Sequence, residues 1–427
     1  MTATVLDSIT LGYQPLWGPR RTLMGIALFV RPEADATVDA AHLVEALQEL
    51  LPAEAPPILL LAQSAPLLAG LLDHVQPAPR RLAGEEPTFS THTFFTPTLV
   101  VPATELARAP VADAVRRAHR RGLQLVWQGE AEQPPEPGLA GCFARQWLSV
   151  SPALAALALH DALRQAKAPA GVPATGPLPS GQIFGGIASH VLMEYCFERC
   201  RAHALAGWPV EDAVYSLRHG PLEPDHKVVL ATLQALEADR SAETVERTLC
   251  DDPLLAYRFL VYANSPGVGL RSGVESVRHG LMMLGTATLA QWLVEQLPHA
   301  SHDSVLRPVK AGMVMRSRLM ERLLDAGSEE ALRREIALCG LFSDLDQLLD
   351  QPLGSILTRL PLSGRIYDAT VMHTGPYAAA LAMAVALESP DTEATRRLCV
   401  RHAMDRGDIN RALLRMLGGL QADGALR

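Results

Sequence analysis

The apolar pattern of the chain changes near residue 220, and this change constrains the fold more than any other feature. Before it, short apolar runs alternate with stretches of helical spacing, whereas after it the pattern is helical almost throughout. Single strands that alternate with helices predict parallel strands with helices outside them. The sequence therefore predicts an α/β domain at residues 1–219, followed by an all-α domain at residues 220–427.

The strands predicted in the first half are short apolar runs bounded by turn residues. They are Pro56–Ala62, Thr98–Val101, Leu123–Trp127 and Ile183–Ile187. Helices are predicted at Val111–Arg121, which Gly122 ends, and at Ser189–Ala204. The Pro- and Gly-rich stretch 169–181 predicts an irregular loop, and residues 217–224 predict the connection between the domains.

The second half contains a helix with a clear start and a clear inner face. Asp252 is a predicted N-cap, and Pro253 stands at the first helical position, where a missing N–H costs nothing. Leu255, Phe259 and Tyr262 follow at spacings of four and three, which places them on one apolar face. We expect this face to point into the core of the domain.

The next helix is predicted to begin after Ser276 and to end at Gly285. A helical tail, Thr392–Leu420, closes the pattern, with apolar positions such as Leu413 and Leu417. Two interpretations of this tail are open. It either packs on its own domain or leaves an apolar patch exposed, which on soluble proteins usually marks a contact site.

Composition excludes several classes of protein. Apolar residues make up 48% of the 427 residues and charged residues 20%, so a large core can form, while a net charge of −8 argues against a nucleic-acid-binding surface over the whole molecule. The six cysteines include Cys196 and Cys200, but nothing near them completes a zinc site, and they are interpreted as small core residues. Without a signal peptide or a membrane span, the chain is expected to be soluble and cytoplasmic.

The second half resembles the HDOD domain, a non-catalytic relative of the HD phosphohydrolases. The resemblance rests on residues 250–265, on 274–285 followed by Trp292, and on 340–346 followed by 360–363. These stretches read CDDPLLAYRFLVYANS, VESVRHGLMMLG, GLFSDLD and LPLS. The last two are similar to the subfamily that joins HDOD to an N-terminal EAL domain.

The first half is weakly similar to that EAL domain, which implies a TIM-like barrel that in active members hydrolyses cyclic di-GMP with divalent metals. Gly12–Leu16 and Gly25–Arg31 resemble the first two strands, and Ala206–Pro209 resembles the closing strand and turn. The resemblance therefore implies a degenerate TIM-like EAL barrel before the all-helical HDOD domain.

Residues without acidic groups stand at the positions where the EAL resemblance implies catalytic side chains. The pairing is good to about one residue, and the substituted positions are Ala27, Pro102 (with Glu105 nearby), Trp127 and Gln128, Leu148, and Ala206. Hydrolysis of this kind needs acidic oxygen ligands that hold hard cations and activate water. We therefore expect no catalytic residue, no bound metal and no cofactor in the first half.

The HD resemblance implies a metal-binding His-Asp pair at 343–344, where the sequence has Ser343 and Asp344. A lone carboxylate holds a metal poorly, so no metal is expected here either. The dipeptides His160-Asp161 and His302-Asp303 lie elsewhere and are interpreted as accidental.

The remaining polar candidates have a structural and a functional interpretation. Asn264 and Ser265 follow an apolar helix, so they either cap its end or contact a ligand. The basic run at 116–121 is either a solvated outer helix or an anion-binding patch. The candidate binding or structural residues of the sequence are Asp252, Pro253, Asn264, Ser265, Gly285, Trp292, Ser343 and Asp344.

The function expected from these observations is that of a non-catalytic bacterial signalling scaffold in a network adjacent to cyclic di-GMP. Its partners would be other signalling proteins or a second copy of the chain, with no role for a membrane or nucleic acid, and the HDOD half would supply the binding surface. The alternatives are a cyclic di-GMP phosphodiesterase or receptor, and a metal-dependent HD phosphohydrolase.

Overall fold

The computed structural model describes residues 4–34, 36–77, 96–165, 176–187, 189–209, 214–215, 223–302, 305–324 and 329–420. Residues 169–175 of the predicted loop and residues 217–222 of the predicted connection lie outside this described part. The chain forms two compact units. The first unit comprises Met1–Val210 and Ala386–Ala425, and the second comprises Glu211–Val385.

Eight strands of the described residues close into a barrel in the first unit, in the order in which they follow along the chain. They are β1 (Ile9–Trp17), β2 (Leu23–Pro32), β3 (Ile58–Ala62), β4 (Thr98–Pro102), β5 (Leu125–Glu130), β6 (Phe143–Ser149), β7 (Ile183–Gly185) and β8 (Ala204–Ala206). β1 runs antiparallel to both of its neighbours, β2 and β8, and the other neighbouring pairs are parallel.

Helices connect the barrel strands, as the alternating pattern predicted. They are α1 (Ala40–Leu50), α2 (Ala65–His74), α3 (Ala103–Leu106), α4 (Ala109–Arg120), α5 (Pro137–Ala140), α6 (Pro152–Gln165) and α7 (His190–Glu198). The predicted helix Ser189–Ala204 is too long, because Arg201 adopts a left-handed backbone with φ 47° and the chain then enters β8. Ser189 caps α7 by accepting a hydrogen bond from the Leu192 N–H at 3.3 Å.

The second unit is helical. Its helices are α8 (His226–Glu237), α9 (Ala242–Leu249), α10 (Pro253–Ala263), α11 (Val277–Gln296), α12 (Arg307–Leu323), α13 (Glu330–Phe342), α14 (Leu345–Leu349), α15 (Leu353–Leu357), α16 (Gly364–Thr370) and α17 (Ala378–Leu387), which ends just past the boundary. Leu255 and Phe259 are fully buried, as their spacing predicted, while Tyr262 is half-buried. No helix in the described part of the chain is long and apolar enough to cross a bilayer.

The predicted helical tail is two helices, α18 (Thr392–His402) and α19 (Arg406–Gly419), separated by Ala403 in a left-handed conformation with φ 50°. They belong to the barrel unit and not to the helical domain in which the sequence placed them. Leu413 and Leu417 are fully buried there, so these tail positions form no exposed patch.

The edge of β1 explains why the tail packs on the barrel. β8 pairs with Leu16 and Trp17, which leaves the earlier part of that edge without a strand partner. Asn410 of α19 accepts a hydrogen bond from the Leu11 N–H at 3.3 Å and donates one to the Ile9 carbonyl at 2.8 Å. An uncovered strand edge is a site for unwanted pairing, and this buried amide satisfies it.

Candidate functional site

The pair Ser343 and Asp344 lies at the end of α13 and holds a cationic side chain. Arg316 of α12 donates hydrogen bonds from one guanidinium nitrogen to Ser343 Oγ at 2.6 Å and to Asp344 Oδ2 at 2.7 Å. The Arg316 side chain is 8% exposed and that of Asp344 is 27% exposed. A positive charge of the protein therefore lies where the HD resemblance implies a metal ion.

Close packing of two helices brings this arginine to the pair. A Cβ on Gly340 would lie 2.7 Å from the Ser317 Cα, so only glycine lets α13 approach α12 this closely. Ser343 Oγ in turn donates a hydrogen bond to the Gly340 carbonyl at 2.9 Å. The Gly-Leu-Phe-Ser sequence thus serves helix packing and the arginine site together.

Asp252 and Pro253 begin α10 in a buried polar network. Asp252 is fully buried, and its Oδ1 accepts hydrogen bonds from the Leu254 and Leu255 N–H groups at 2.8 and 3.2 Å. Its Oδ2 accepts from the Asp225 N–H at 2.6 Å and from Lys310 Nζ at 2.7 Å. With four donors on two oxygens, this carboxylate is used for structure and offers no lone pair to a ligand.

Asn264 and Ser265 lie at the other end of α10, where Asn264 ties the helix end to the chain ten residues later. Its amide nitrogen donates to the Leu260 carbonyl at 2.8 Å and to the Val274 carbonyl at 3.0 Å, and its oxygen accepts from the Val274 N–H at 2.8 Å. The Ser265 N–H donates to the Tyr262 carbonyl within the same turn. The side chain of Asn264 thus has the geometry of a structural clamp.

Gly285 and Trp292 lie in α11 at different depths. Gly285 has φ 77° and ψ 166°, a non-helical conformation essentially restricted to glycine, so the helical segment that begins at Val277 ends here and a second segment continues to Gln296. The predicted helix end at this residue is confirmed. Trp292 is buried, with ring centroids 5.4 Å from Phe259 and 5.6 Å from Tyr262.

Apolar side chains line much of the interior of the barrel, and Gln14, opposite Ala27, and Gln128, opposite Trp147, add amide groups to it. One side of the strands contributes a buried cluster that comprises Leu16, Ala27, Phe29, Leu61, Val100, Val126, Trp147, Ile183 and Ala204, with Leu59 and Ala206 packed against it. Strand side chains alternate between the two faces, so Trp127 and Leu148 point to the outer side. The inward neighbours at those two positions are Gln128, which is half-buried, and Trp147.

The acidic and histidine candidates do not converge on a site. Glu105 in α3 pairs with Arg108 at 3.4 Å. Asp161 in α6 accepts hydrogen bonds from the Tyr195 hydroxyl and from Arg164, both at 3.1 Å. Among the described residues, no group of three or more His, Cys, Asp or Glu side chains could hold a metal ion.

The second His-Asp dipeptide is described in part. The His302 ring lies against that of His226, with centroids 4.1 Å apart, while Asp303 is outside the described residues.

The basic run on α4 is partly neutralised by the neighbouring helix. Arg117 makes two hydrogen bonds to Asp73, at 3.0 and 2.9 Å, which lower the pKa of that carboxyl. Arg116 pairs with Asp113 at 2.8 Å, and Arg121 donates to the Leu72 carbonyl. This arrangement fits the solvated outer helix better than an anion-binding patch.

Sequence reasoning missed Arg316 and Lys310, the two cations that complete the buried polar sites of the second unit. Both lie on α12, whose residues 308–317 are buried on every face. The signal was available in principle, because charged residues inside a helix that is otherwise buried must find partners. Nothing in the sequence marked the helix as buried on all sides.

The family model of the HDOD domain matches residues 222–349, which include Arg316, Ser343 and Asp344. The cyclic di-GMP phosphodiesterase CdgJ of Vibrio cholerae is 24% identical over 196 residues, 45% of each chain. The uncharacterized protein YuxH of Bacillus subtilis is 28% identical over 154 residues, 35% of this chain and 36% of that protein. The chain thus matches less than half the length of these curated relatives.

Among solved structures, the MmoQ response regulator of Methylococcus capsulatus is similar with a TM-score of 0.36 and 17% identity. The match covers 45% of this chain and 97% of that one.

Proposed function

We propose that this protein, whose helical unit carries an HDOD domain, is a non-catalytic signalling scaffold in a network adjacent to cyclic di-GMP. It acts through contacts with other signalling proteins and needs no metal or cofactor. The barrel is a degenerate EAL domain that has kept its fold and lost its chemistry.

The apolar lining of the barrel is the observation that carries this proposal. A phosphodiesterase of the EAL type needs several oxygen ligands for divalent cations and a water molecule that these cations activate. Ala27 is fully buried in the lining, and Ala206 packs against it. Methyl groups offer no ligand, so the chemistry has no donor set at these positions.

The arginine site of the helical unit supports the same conclusion for the HD chemistry. The guanidinium of Arg316 lies within hydrogen-bond distance of both Ser343 and Asp344. A divalent cation at this position would be repelled by the guanidinium, and the repulsion is strong where water is scarce. The site therefore favours a structural ion pair over a phosphohydrolase centre.

The partner-binding surface is assigned to the helical unit, at two exposed methionines beside the break in α11. Met282 is 72% exposed and Met283 is 45% exposed, three and two residues before Gly285. Methionine is flexible and polarisable, and it is common on surfaces that bind protein partners. We call this pair the methionine surface.

The test compares the full-length protein with two charged variants in a capture experiment on extract of the native cell. Met282→Glu/Met283→Glu is expected to lose the specific partners that the wild-type protein captures, because two carboxylates would have to be buried on binding. Val400→Glu is the matched control, since Val400 is 78% exposed on α18 of the barrel unit. Equal capture by all three proteins, or selective loss in the control, would place the surface elsewhere.

A cyclic di-GMP receptor is the second candidate, and the name of the Vibrio cholerae relative favours it. Binding and hydrolysis are separable, since binding needs a complementary surface but no activated water. Equilibrium dialysis with labelled cyclic di-GMP distinguishes the two candidates. Saturable stoichiometric binding would support the receptor, and its absence would support the scaffold.

A further inference from the structure

The segment Glu388–Glu393, which we call the strap, crosses the end of the barrel where the parallel strands finish. In barrels of this architecture the carboxyl ends of the strands form the functional face. The strap follows α17 in the chain and continues into α18. It is part of the barrel unit, so its contacts with the strand ends lie within one compact unit.

Two side chains from the strand ends donate hydrogen bonds to main-chain carbonyls of the strap. Gln63 directly follows β3, and its amide nitrogen donates to the Pro390 carbonyl at 2.8 Å. Trp208 lies two residues after β8, and its indole N–H donates to the Glu388 carbonyl at 3.1 Å. The barrel therefore contacts the strap through its backbone carbonyls, where the chain bends between two helices.

Gly12 of β1 makes room for the carbonyl of Ser389, which lies between the carbonyls of Glu388 and Pro390. It pairs with Phe29, a member of the inner lining, so its missing side chain would point inward. A Cβ there would fall well inside contact distance of the Ser389 carbonyl oxygen and would lie 3.5 Å from the Thr392 methyl carbon. Glycine at this position admits the strap into the mouth of the barrel.

Further contacts hold the carboxyl side of the strap. Thr392 Oγ1 lies 3.4 Å from Gln63 Oε1, and Glu393 pairs with Arg31 at 3.7 Å. The Asp391 N–H donates to Ser389 Oγ at 3.0 Å, which shapes the strap itself. Thr392 is 1% exposed, so the seat of the strap is closed to water at this point.

We propose that the mouth of the barrel is a peptide-binding site, and that its resident ligand is the strap of the same chain. The barrel supplies the side-chain N–H groups of Gln63 and Trp208 and the space left by Gly12. The strap supplies three successive backbone carbonyls. A covalently attached ligand benefits from a high effective concentration, so the mouth stays occupied without strong individual contacts. This goes beyond the scaffold function, because it assigns a further binding site, in the barrel, for a short polypeptide bend that leads into a helix.

The first experiment measures whether the strap can leave the mouth while the barrel stays folded. Cys399 of α18 is 5% exposed and serves as the reporter, and Cys196 and Cys339 report on opening of the barrel and of the helical unit. In full-length protein, Gly12→Ala and Trp208→Phe are each expected to raise the labelling rate of Cys399 about tenfold or more, with Cys196 and Cys339 unchanged.

Gly138→Ala is the control for the glycine substitution, since a Cβ on Gly138 meets no atom within 4 Å. It should label at the wild-type rate. Labelling of Cys399 that does not change in Gly12→Ala and Trp208→Phe would overturn the proposal. So would an equal rise at Cys196, which would mean that the strap cannot be separated from the barrel fold.

The second experiment asks whether an emptied mouth takes the same peptide from solution. Thr392→Arg places a long charged side chain at a buried position of the strap and leaves Gly12, Gln63 and Trp208 intact. A fluorescent synthetic peptide of residues 386–395 should bind this full-length variant saturably, and about tenfold more weakly to the wild-type protein, whose mouth is filled.

A peptide that carries the same threonine-to-arginine change is the matched control and should not bind the variant. Equal anisotropy for both peptides would refute the peptide site. Binding of the native peptide with equal affinity to the wild-type protein would also refute it, because the strap would then not be the resident ligand.

Discussion

Substitution of Asp344 should destabilise the helical unit more than substitution of its partner Arg316, although both remove the same ion pair. The Arg316 side chain is 8% exposed and the Asp344 side chain is 27% exposed. In Asp344→Ala the guanidinium stays buried after losing a carboxylate at 2.7 Å. In Arg316→Met the remaining carboxylate can be hydrated, and the aliphatic stem of the arginine is replaced by a chain of similar length.

The magnitudes follow from this difference in burial. Breaking a buried pair so that a charge remains inside costs about 3–5 kcal/mol. Arg316 keeps its hydrogen bond to Ser343 Oγ, so we expect about 2–3 kcal/mol for Asp344→Ala. Arg316→Met should cost about 1 kcal/mol, as expected for a pair whose remaining partner reaches water.

The assay uses Cys339 of α13 as a built-in probe of opening. This thiol is fully buried, and burial raises its pKa to about 12, so it reacts only when the helical unit opens. Asp344→Ala should raise the labelling rate about 30- to 100-fold and Arg316→Met about fivefold, at about 1.4 kcal/mol per factor of ten.

Glu330→Ala is the control on the same helix, because its pair with Arg334 involves a glutamate that is 75% exposed. Its labelling rate should stay within about threefold of the wild-type rate. A larger effect of Arg316→Met than of Asp344→Ala would contradict this prediction, since it would mean that the carboxylate and not the guanidinium is the buried charge.

Three further predictions concern packing, pH and backbone conformation. Phe259→Ala should lower the melting temperature clearly, because truncating a fully buried phenylalanine costs about 3–5 kcal/mol. An unchanged melting temperature would mean that Phe259 does not lie on the core-facing side of α10. Burial raises the pKa of Cys196 and Cys339 to about 12, above the value in the unfolded chain. The unfolded chain therefore loses these protons first, and the free energy of unfolding should fall as the pH rises above about 8.5. Equal urea midpoints at pH 7 and pH 10 would contradict this. Gly285→Ala should cost about 1–3 kcal/mol through its φ of 77°, whereas Gly267→Ala, which has open space and no positive φ, should be close to neutral by the same urea titration.

The apolar runs predicted β3, β4, β5 and β7, because each is a short apolar run between turn residues, whereas β1 and β2 were indicated by the family resemblance and β6 was not predicted. The predicted runs Pro56–Ala62 and Thr98–Val101 coincide with β3 and β4 within two residues. The apolar pattern did not reveal β8, which only the resemblance at Ala206–Pro209 indicated, because Ala204–Ala206 is three residues long and continues a helical pattern without a clear break. A three-residue strand forms through its neighbours and not through its own propensity.

The local polar motifs of the helical unit were also predictable. The Asp252 cap depends on residues two and three positions away, and such contacts are encoded locally. The partners Lys310 and Arg316 are not encoded in this way. Arg316 is 28 residues from Asp344, and Lys310 is 58 residues from Asp252, so their meeting depends on how the helices pack.

The placement of the tail could not be read from its apolar pattern, which fits any partner with a groove. Its position follows from a need of β1, whose edge beyond β8 has to be covered. This need becomes visible once the strand pairing is known. The interrupted tail also shows that a left-handed alanine, Ala403, can separate two helices without a glycine or proline signal.

An assay of cyclic di-GMP turnover by the purified full-length protein decides whether it is a phosphodiesterase. We expect no hydrolysis above an enzyme-free blank with either Mg²⁺ or Mn²⁺, because the lining at Ala27 and Ala206 lacks carboxylates and Arg316 occupies the pair at Ser343 and Asp344. An active phosphodiesterase, assayed in parallel, shows that the conditions support turnover. Hydrolysis at a rate proportional to the protein concentration, abolished by a chelator and restored by adding the metal, would show instead that the protein is an active phosphodiesterase.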